Sequence, residues 1–294
     1  LFRPAEVPWL PGFKGVRDVL NFSSYLIGAK LSQEIYNSLP DLVIGKVLSM
    51  DAVAYFNKAM GAVGMFGQLV TSAILPVALP HFSHIRRGGE NASRTYLKAL
   101  SYLTVLAWPF FAFLVCMAEP IILILFGPQW EASVPIARVL AFYGMLKSAF
   151  SLTESLFVSH GKVSSYFKVR FIILIVHAAI ILATVGHGLE AVAVGFVASG
   201  LISMVIVMVS LQRTMGIGIR QTIAATYKGM IVAAMTALVP LAISLDLWAL
   251  DGLLLPLTVA GMGGAIGWFA GVFLTRHALS QEFWLVFKRL KATR

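Results

Sequence analysis

Eight stretches of this chain, roughly 18–47, 53–80, 96–117, 134–159, 166–186, 189–212, 229–245 and 253–275, are apolar over lengths close to the ~20 residues that a helix needs to cross a bilayer. FIILIVHAAIILATV (171–185) and LISMVIVMVSL (201–211) are apolar all round, as helices in lipid are. Only helices and closed barrels satisfy every backbone group inside a membrane. Barrel strands alternate apolar and polar residues over about ten positions, and no such alternation occurs here. The expected fold is therefore all-α, a polytopic helical membrane protein. Composition excludes the alternatives: of 294 residues 59% are hydrophobic and 12% charged, against about 45–50% and 25% in soluble domains. Too few polar residues remain to cover a soluble core, and the chain is too apolar to be disordered. Prolines 40, 76 and 80 predict kinks or breaks in the first two spans.

The net charge of +10 invites a nucleic-acid reading until the charges are placed. Lys and Arg recur in every second loop: Arg3, Lys14 and Arg17; Arg86, Arg87, Arg94 and Lys98; Lys162, Lys168 and Arg170; Arg213, Arg220 and Lys228; and Arg276 onward. The intervening loops carry only acids, among them Asp51, Glu119, Glu131, Glu190, Asp246 and Asp251. This is the positive-inside pattern, so both termini are expected in the cytoplasm and no nucleic-acid partner is expected. Trp9, Trp130, Trp248 and Trp284 fall near the membrane boundaries, where amphipathic rings are favoured. The tail EFWLVFKRLKATR reads either as a basic amphipathic helix on anionic lipid or as a simple stop-transfer anchor. A single cysteine, Cys116, allows no internal disulfide, and Leu1 in place of Met reads as a fragment or a processed chain.

Ionisable residues inside spans cost about 2.5–3.5 kcal/mol each on insertion scales, so each needs a reason. Lys30, Glu34, Asn37 and Asp41 follow one another at steps of four, three and four, which places them within about 60° on one helix face. A water-filled substrate cavity explains the stripe. Intrahelical Lys30–Glu34 pairing is the alternative, and it leaves Asn37 and Asp41 unexplained. In the fourth span Lys147, Ser151 and Glu154 share a face with Tyr143 nearby, and Lys147 and Glu154 lie two turns apart, too far to pair. The second span adds Asn57 and Gln68 on one face and Lys58 nearer the rim, where snorkelling competes with a cavity role. Arg138 and Lys46 read as snorkelling.

Gly263, Gly267 and Gly271 form a small-xxx-small ridge for close helix packing. They do not fit a dinucleotide fingerprint, and no strand precedes them. His81 and His84 stand at helical spacing without further ligand candidates, so no metal site and no cofactor are expected. His177 reads as a hydrogen-bonded packing residue, and Asn91-Ala-Ser as a chance glycosylation pattern. No nucleophilic triad or carboxylate dyad emerges, and the short acidic loops leave no room for a polymerase or ligase; a non-enzyme is expected.

The runs DLVIGKVLSMDAVAYFNKAM (41–60), ILPVALPHFSHIRRGG (74–89) and ILFGPQWEASVPIARVLAFYG (124–144), in that order and spacing, resemble the second half of bacterial Wzx-type polysaccharide exporters of the multidrug/oligosaccharidyl-lipid/polysaccharide superfamily. SHGKVSSYFKV (159–169) and GLEAVAVGFVASGLIS (188–203) extend the resemblance over much of residues 12–215. It implies a protein of about twelve to fourteen helices with two lobes around a central cavity. Of these the chain would hold a lead-in (1–17), one six-helix lobe (18–212), two accessory helices (213–279) and the basic tail (280–294), with the N-terminal lobe missing. The implied activity is flipping of an undecaprenyl-pyrophosphate-linked oligosaccharide across the bacterial inner membrane. Its implied partners are that lipid-linked substrate, membrane lipids, the missing lobe and polysaccharide polymerase or export machinery. Lys30 and Lys147 would then attract the pyrophosphate, and Asn37, Gln68, Ser151 and Tyr143 would touch sugar hydroxyls. Glu34, Asp41 and Glu154 would balance the lysines or bind a coupling cation. A cation-coupled multidrug antiporter of the same superfamily and a non-transporting scaffold subunit of a polysaccharide-assembly complex are the alternatives.

Overall fold

A computed structural model describes residues 16–68, 92–248 and 250–280. Among them every regular element is helical: α1 (Val16–Val47), α2 (Met50–Phe66), α3 (Ala92–Phe126), α4 (Val134–Ser148), α5 (Thr153–Ser159), α6 (Val163–Thr184), α7 (Leu189–Met215), α8 (Ile219–Ser244) and α9 (Leu254–Leu274). The chain is an all-α polytopic membrane protein. Among the described residues five helices, α3 and α6 to α9, are long and apolar enough to cross a bilayer by length and composition alone. The His81/His84 pair, the Asn91 motif, Trp9, Trp284, most of the lead-in, nearly all of the tail and the end of the second span lie outside the described residues.

Local chemistry sets the helix ends. The Ser49 hydroxyl accepts the Ala52 N–H at 3.0 Å and caps α2. Gly216, at φ 69°, closes α7 in the left-handed conformation that side chains disfavour. The third span outruns its predicted end at 117. Pro120 denies an amide to the carbonyl four residues back, and the helix kinks at Met117 (φ −107°, ψ 21°) before continuing to Phe126. Pro109 likewise leaves the Val105 carbonyl without its helical donor, and the Trp268 indole of α9 supplies one at 2.9 Å.

The fourth span, read from sequence as continuous over 134–159, is two helices. Between α4 and α5 the bonds tighten to three-residue turns, from Phe150 N to Lys147 O (3.2 Å), Ser151 N to Ser148 O (3.3 Å) and Thr153 N to Phe150 O (3.1 Å). Hydroxyls compete for the released carbonyls: Ser148 Oγ donates to Met145 O at 2.8 Å and Ser151 Oγ to Ser148 O at 3.0 Å. The Trp108 indole of α3 also donates to Met145 O, at 3.1 Å.

Most of the apolar core unites α1 to α7. Smaller clusters seat α8 and α9 on α3 through Cys116, Met117, Ile243 and Ala260 and through Val105, Val232 and Val272. The glycine ridge of α9 packs as its spacing predicts. A methyl group on Gly271 would lie 3.1 Å from Val232 Cα, and one on Gly267 would overlap the Met235 carbonyl oxygen.

α1 and α6 run parallel, with Tyr25 against Phe167 (centroids 6.0 Å apart) and Tyr36 against His177 (3.8 Å). The start of α3 meets the end of α7, where Ser93 Oγ donates to Met215 O at 3.3 Å. Nearby, His277 locks the turn after α9 onto α3. Its Nδ1 accepts the Leu279 N–H at 3.2 Å, which leaves Nε2–H to donate to Ser101 Oγ at 2.8 Å. Burial, and then the Lys228 ammonium, hold this imidazole below its ordinary pKa of 6.5. A depressed histidine is neutral when folded, so its contribution is complete above about pH 6.5 and is lost as pH falls through the folded value. Hydrogen exchange of the Leu279 amide, corrected for intrinsic rate, is expected to accelerate between pH 7.5 and 5; a Ser101→Ala variant should already show faster exchange at pH 7.5.

Candidate functional site

The break between α4 and α5 opens a cavity of about 300 Å³ bounded by α1, α4, α5, α6 and α7. Gly200 of α7 lets this wall close up, since a methyl group there would sit 3.2 Å from the Tyr143 ring. α1 contributes Gln33 and Tyr36, and α4 contributes Tyr143 and Lys147. The broken segment adds Ser151, Thr153 and Glu154; α6 adds Tyr166 and Arg170, and α7 adds Ser203.

The polar groups fall into two sets. Tyr166 OH donates to Glu154 Oε2 at 2.9 Å, which gives this carboxylate a partner on another helix. Lys147 Nζ sits 5.8 Å from the Tyr143 ring centroid, and Arg170 lines the same space, so two cations face one acid. Deeper, the Tyr36 and Tyr143 hydroxyls pair at 3.0 Å. Behind Tyr36, His177 is fully buried and stacked on its ring (3.8 Å, 24°), with Nδ1 2.9 Å from Ser199 Oγ. His177 is the hydrogen-bonded packing residue that its sequence position suggests, although its Nε2 has no hydrogen-bond partner.

Four of the residues singled out from sequence, Tyr143, Lys147, Ser151 and Glu154, meet in this cavity. The α1 stripe does not line it. Lys30, Glu34 and Asn37 are exposed and Asp41 half-buried, one helical step round from the buried face of Ala29, Ser32, Tyr36, Pro40 and Ile44. Lys30 and Glu34 form no ion pair. The stripe touches the cavity at its rim, where Gln33 Nε2 donates to Asn37 Oδ1 at 2.9 Å. Asn57 on α2 and Gln68 just beyond its end are exposed and do not line the cavity. Lys58 lies with its ammonium 4.9 Å from both the Phe126 and Trp130 ring centroids, an aromatic seat that favours the rim-anchor reading over a cavity role.

Sequence reasoning missed Gln33, Tyr36, Tyr166, Arg170 and Ser203. A signal existed for α6. Tyr166, Arg170, Ile173 and His177 repeat the four-three-four spacing of the α1 stripe, but Arg170 also fits the run of basic residues around the start of the fifth span. Among the described residues no three His, Cys, Asp or Glu side chains gather as a metal site.

Fold and cavity together define a helical membrane protein with a cationic, hydroxyl-rich pocket at a broken span. Residues 5–135 match the model of a family described as polysaccharide biosynthesis protein. The teichuronic acid biosynthesis protein TuaB of Bacillus subtilis is 23% identical over 184 residues, 61% of this chain and 38% of the relative. The succinoglycan biosynthesis transport protein ExoT of Rhizobium meliloti is 29% identical over 120 residues (41% and 24%). The lipopolysaccharide biosynthesis protein WzxC of Escherichia coli is 22% identical over 149 residues (51% and 30%). The chain is thus similar to proteins named for polysaccharide biosynthesis and transport, and its matches span from 24% to 38% of these relatives' lengths.

Proposed function

We propose that this chain forms one helical body of a flippase that carries an undecaprenyl-pyrophosphate-linked oligosaccharide from the cytoplasmic to the outer leaflet of the bacterial inner membrane, without catalysing a reaction. The observation that carries this reading is the cavity's charge: Lys147 and Arg170 against the single Glu154. A pair of cations suits a pyrophosphate, and the tyrosine and serine hydroxyls suit a sugar. The relatives' names, which speak of teichuronic acid, succinoglycan and lipopolysaccharide, support the same class. The cation excess disfavours the cation-coupled multidrug-antiporter alternative, which rests on carboxylates to bind its coupling ion.

Alternating access needs two bodies that rock about a central site. The exposed Lys30, Glu34 and Asn37 stripe would be unfavourable against lipid, which supports an opposing lobe and water on that face. The basic loops would face the cytoplasm, placing both ends of this chain there.

The test is Lys147→Gln in the intact gene, scoring surface polysaccharide at matched protein level. Loss of a charge contact to the pyrophosphate predicts a fall of at least about tenfold. Export at the unmodified level would overturn the reading.

A further inference from the structure

We propose that the corner where α3, α8 and the turn after α9 meet binds the phosphate of an anionic phospholipid. Three cations from three segments border this corner, linked through Tyr102, His277 and the Arg276 carbonyl. Lys98 of α3 lies with its ammonium 5.8 Å from the Tyr102 ring centroid, and Tyr102 packs edge-on to His277 at 5.6 Å. Lys228 of α8 donates to the Arg276 carbonyl at 3.0 Å. Arg276 itself takes the left-handed conformation, φ 46°, in the turn after α9. His277, with both ring nitrogens engaged, holds that turn against α3.

Among the described residues nothing neutralises the three charges. None of their carboxylates lies within ion-pair distance of Lys98, Lys228 or Arg276; α8 and α9 contain no acid, and the one acid of α3 is Glu119, about 30 Å further along the helix. A cationic corner between helix ends is a seat for a lipid headgroup. The surface beside it selects an amphiphile over a free anion. Met230 (60% exposed), Phe273 (55%) and Leu274 (73%) lie within three residues of Lys228 or Arg276 and offer acyl chains an apolar bed.

The experiment compares dioleoylphosphatidylglycerol with dioleoylphosphatidylcholine at equal mole fraction, added to the full chain purified in a neutral detergent, and reads retained lipid by native mass spectrometry. The glycerol lipid is expected to be retained at least about fivefold better, and Lys98→Gln to remove about fivefold of that retention. Lys98 is exposed and makes no hydrogen bond to the described residues, so this variant is expected to keep the fold, and an unchanged Tm checks it. Lys98→Gln with Arg276→Gln should bring the two lipids level. A Lys162→Gln, Lys168→Gln control, which removes two cations elsewhere, should retain the glycerol lipid. Equal retention of both lipids by the unmodified chain, or no loss in the Lys98/Arg276 double variant, would overturn the site. So would an equal loss in the control, or complete displacement by millimolar inorganic phosphate, which would show a free-anion site.

Discussion

Gly267→Ala is expected to destabilise the chain by about 3 kcal/mol, the upper end of the usual cost of overpacking. The reason is what the added methyl meets. It would overlap the Met235 carbonyl oxygen and lie 3.1 Å from Thr236 Cα, both backbone atoms of α8, so no rotamer change relieves it. The helices must separate, and α9 then loses the close approach on which its packing against α8 depends, lipid supplying no hydrophobic drive to compensate. Gly261→Ala is the control on the same helix. Nothing lies within 4 Å of its added methyl, and alanine's better helix propensity makes it neutral or slightly stabilising. Unfolding in mixed detergent, followed by helicity, should separate the two variants; equal midpoints would overturn the close-packing account.

Arg170→Glu is expected to abolish export in the intact gene, by about a hundredfold or more, and to do so more completely than Lys147→Gln. The reversal turns a cavity with two cations and one acid into one with one cation and two acids, and a like charge placed against a pyrophosphate costs several kcal/mol. Arg170→Lys keeps the charge and loses only the guanidinium fork, so it should retain a substantial fraction of export. Protein level in the membrane, measured alongside, separates a binding defect from misfolding. If Arg170→Glu exports normally, the anionic-substrate reading falls with it.

The helical membrane class was legible because it rests on composition and run length, which need no tertiary contact. The ridge on α9 was legible for a related reason: small residues at every fourth position have one geometric use. The cavity was only half legible. Lys147, Ser151 and Glu154 announce themselves as polar residues in an apolar run, and their helix indeed breaks there. The α1 stripe announces itself in the same way, yet which face of α1 is buried depends on α6, and Tyr36 one step round the helix is what enters the cavity. Arg170 was hidden by its position, since a cation near the start of a span satisfies a topology rule and a binding role equally well. The break at 149–152 was hidden too, because no proline or glycine marks it; it is written in the serines and in a tryptophan 37 residues upstream of Met145.

The bond between Trp268 and the Val105 carbonyl has a consequence for how these helices change over generations. That carbonyl is open to the indole because residue 109 is a proline. An amide-bearing residue at 109 would restore the ordinary helical bond and release position 268 from its need for an N–H donor. With the proline kept, losing the indole strands an acceptor at membrane depth. The two positions, 159 residues apart, are therefore not free to drift separately: the order in which they are substituted decides which intermediate is tolerated.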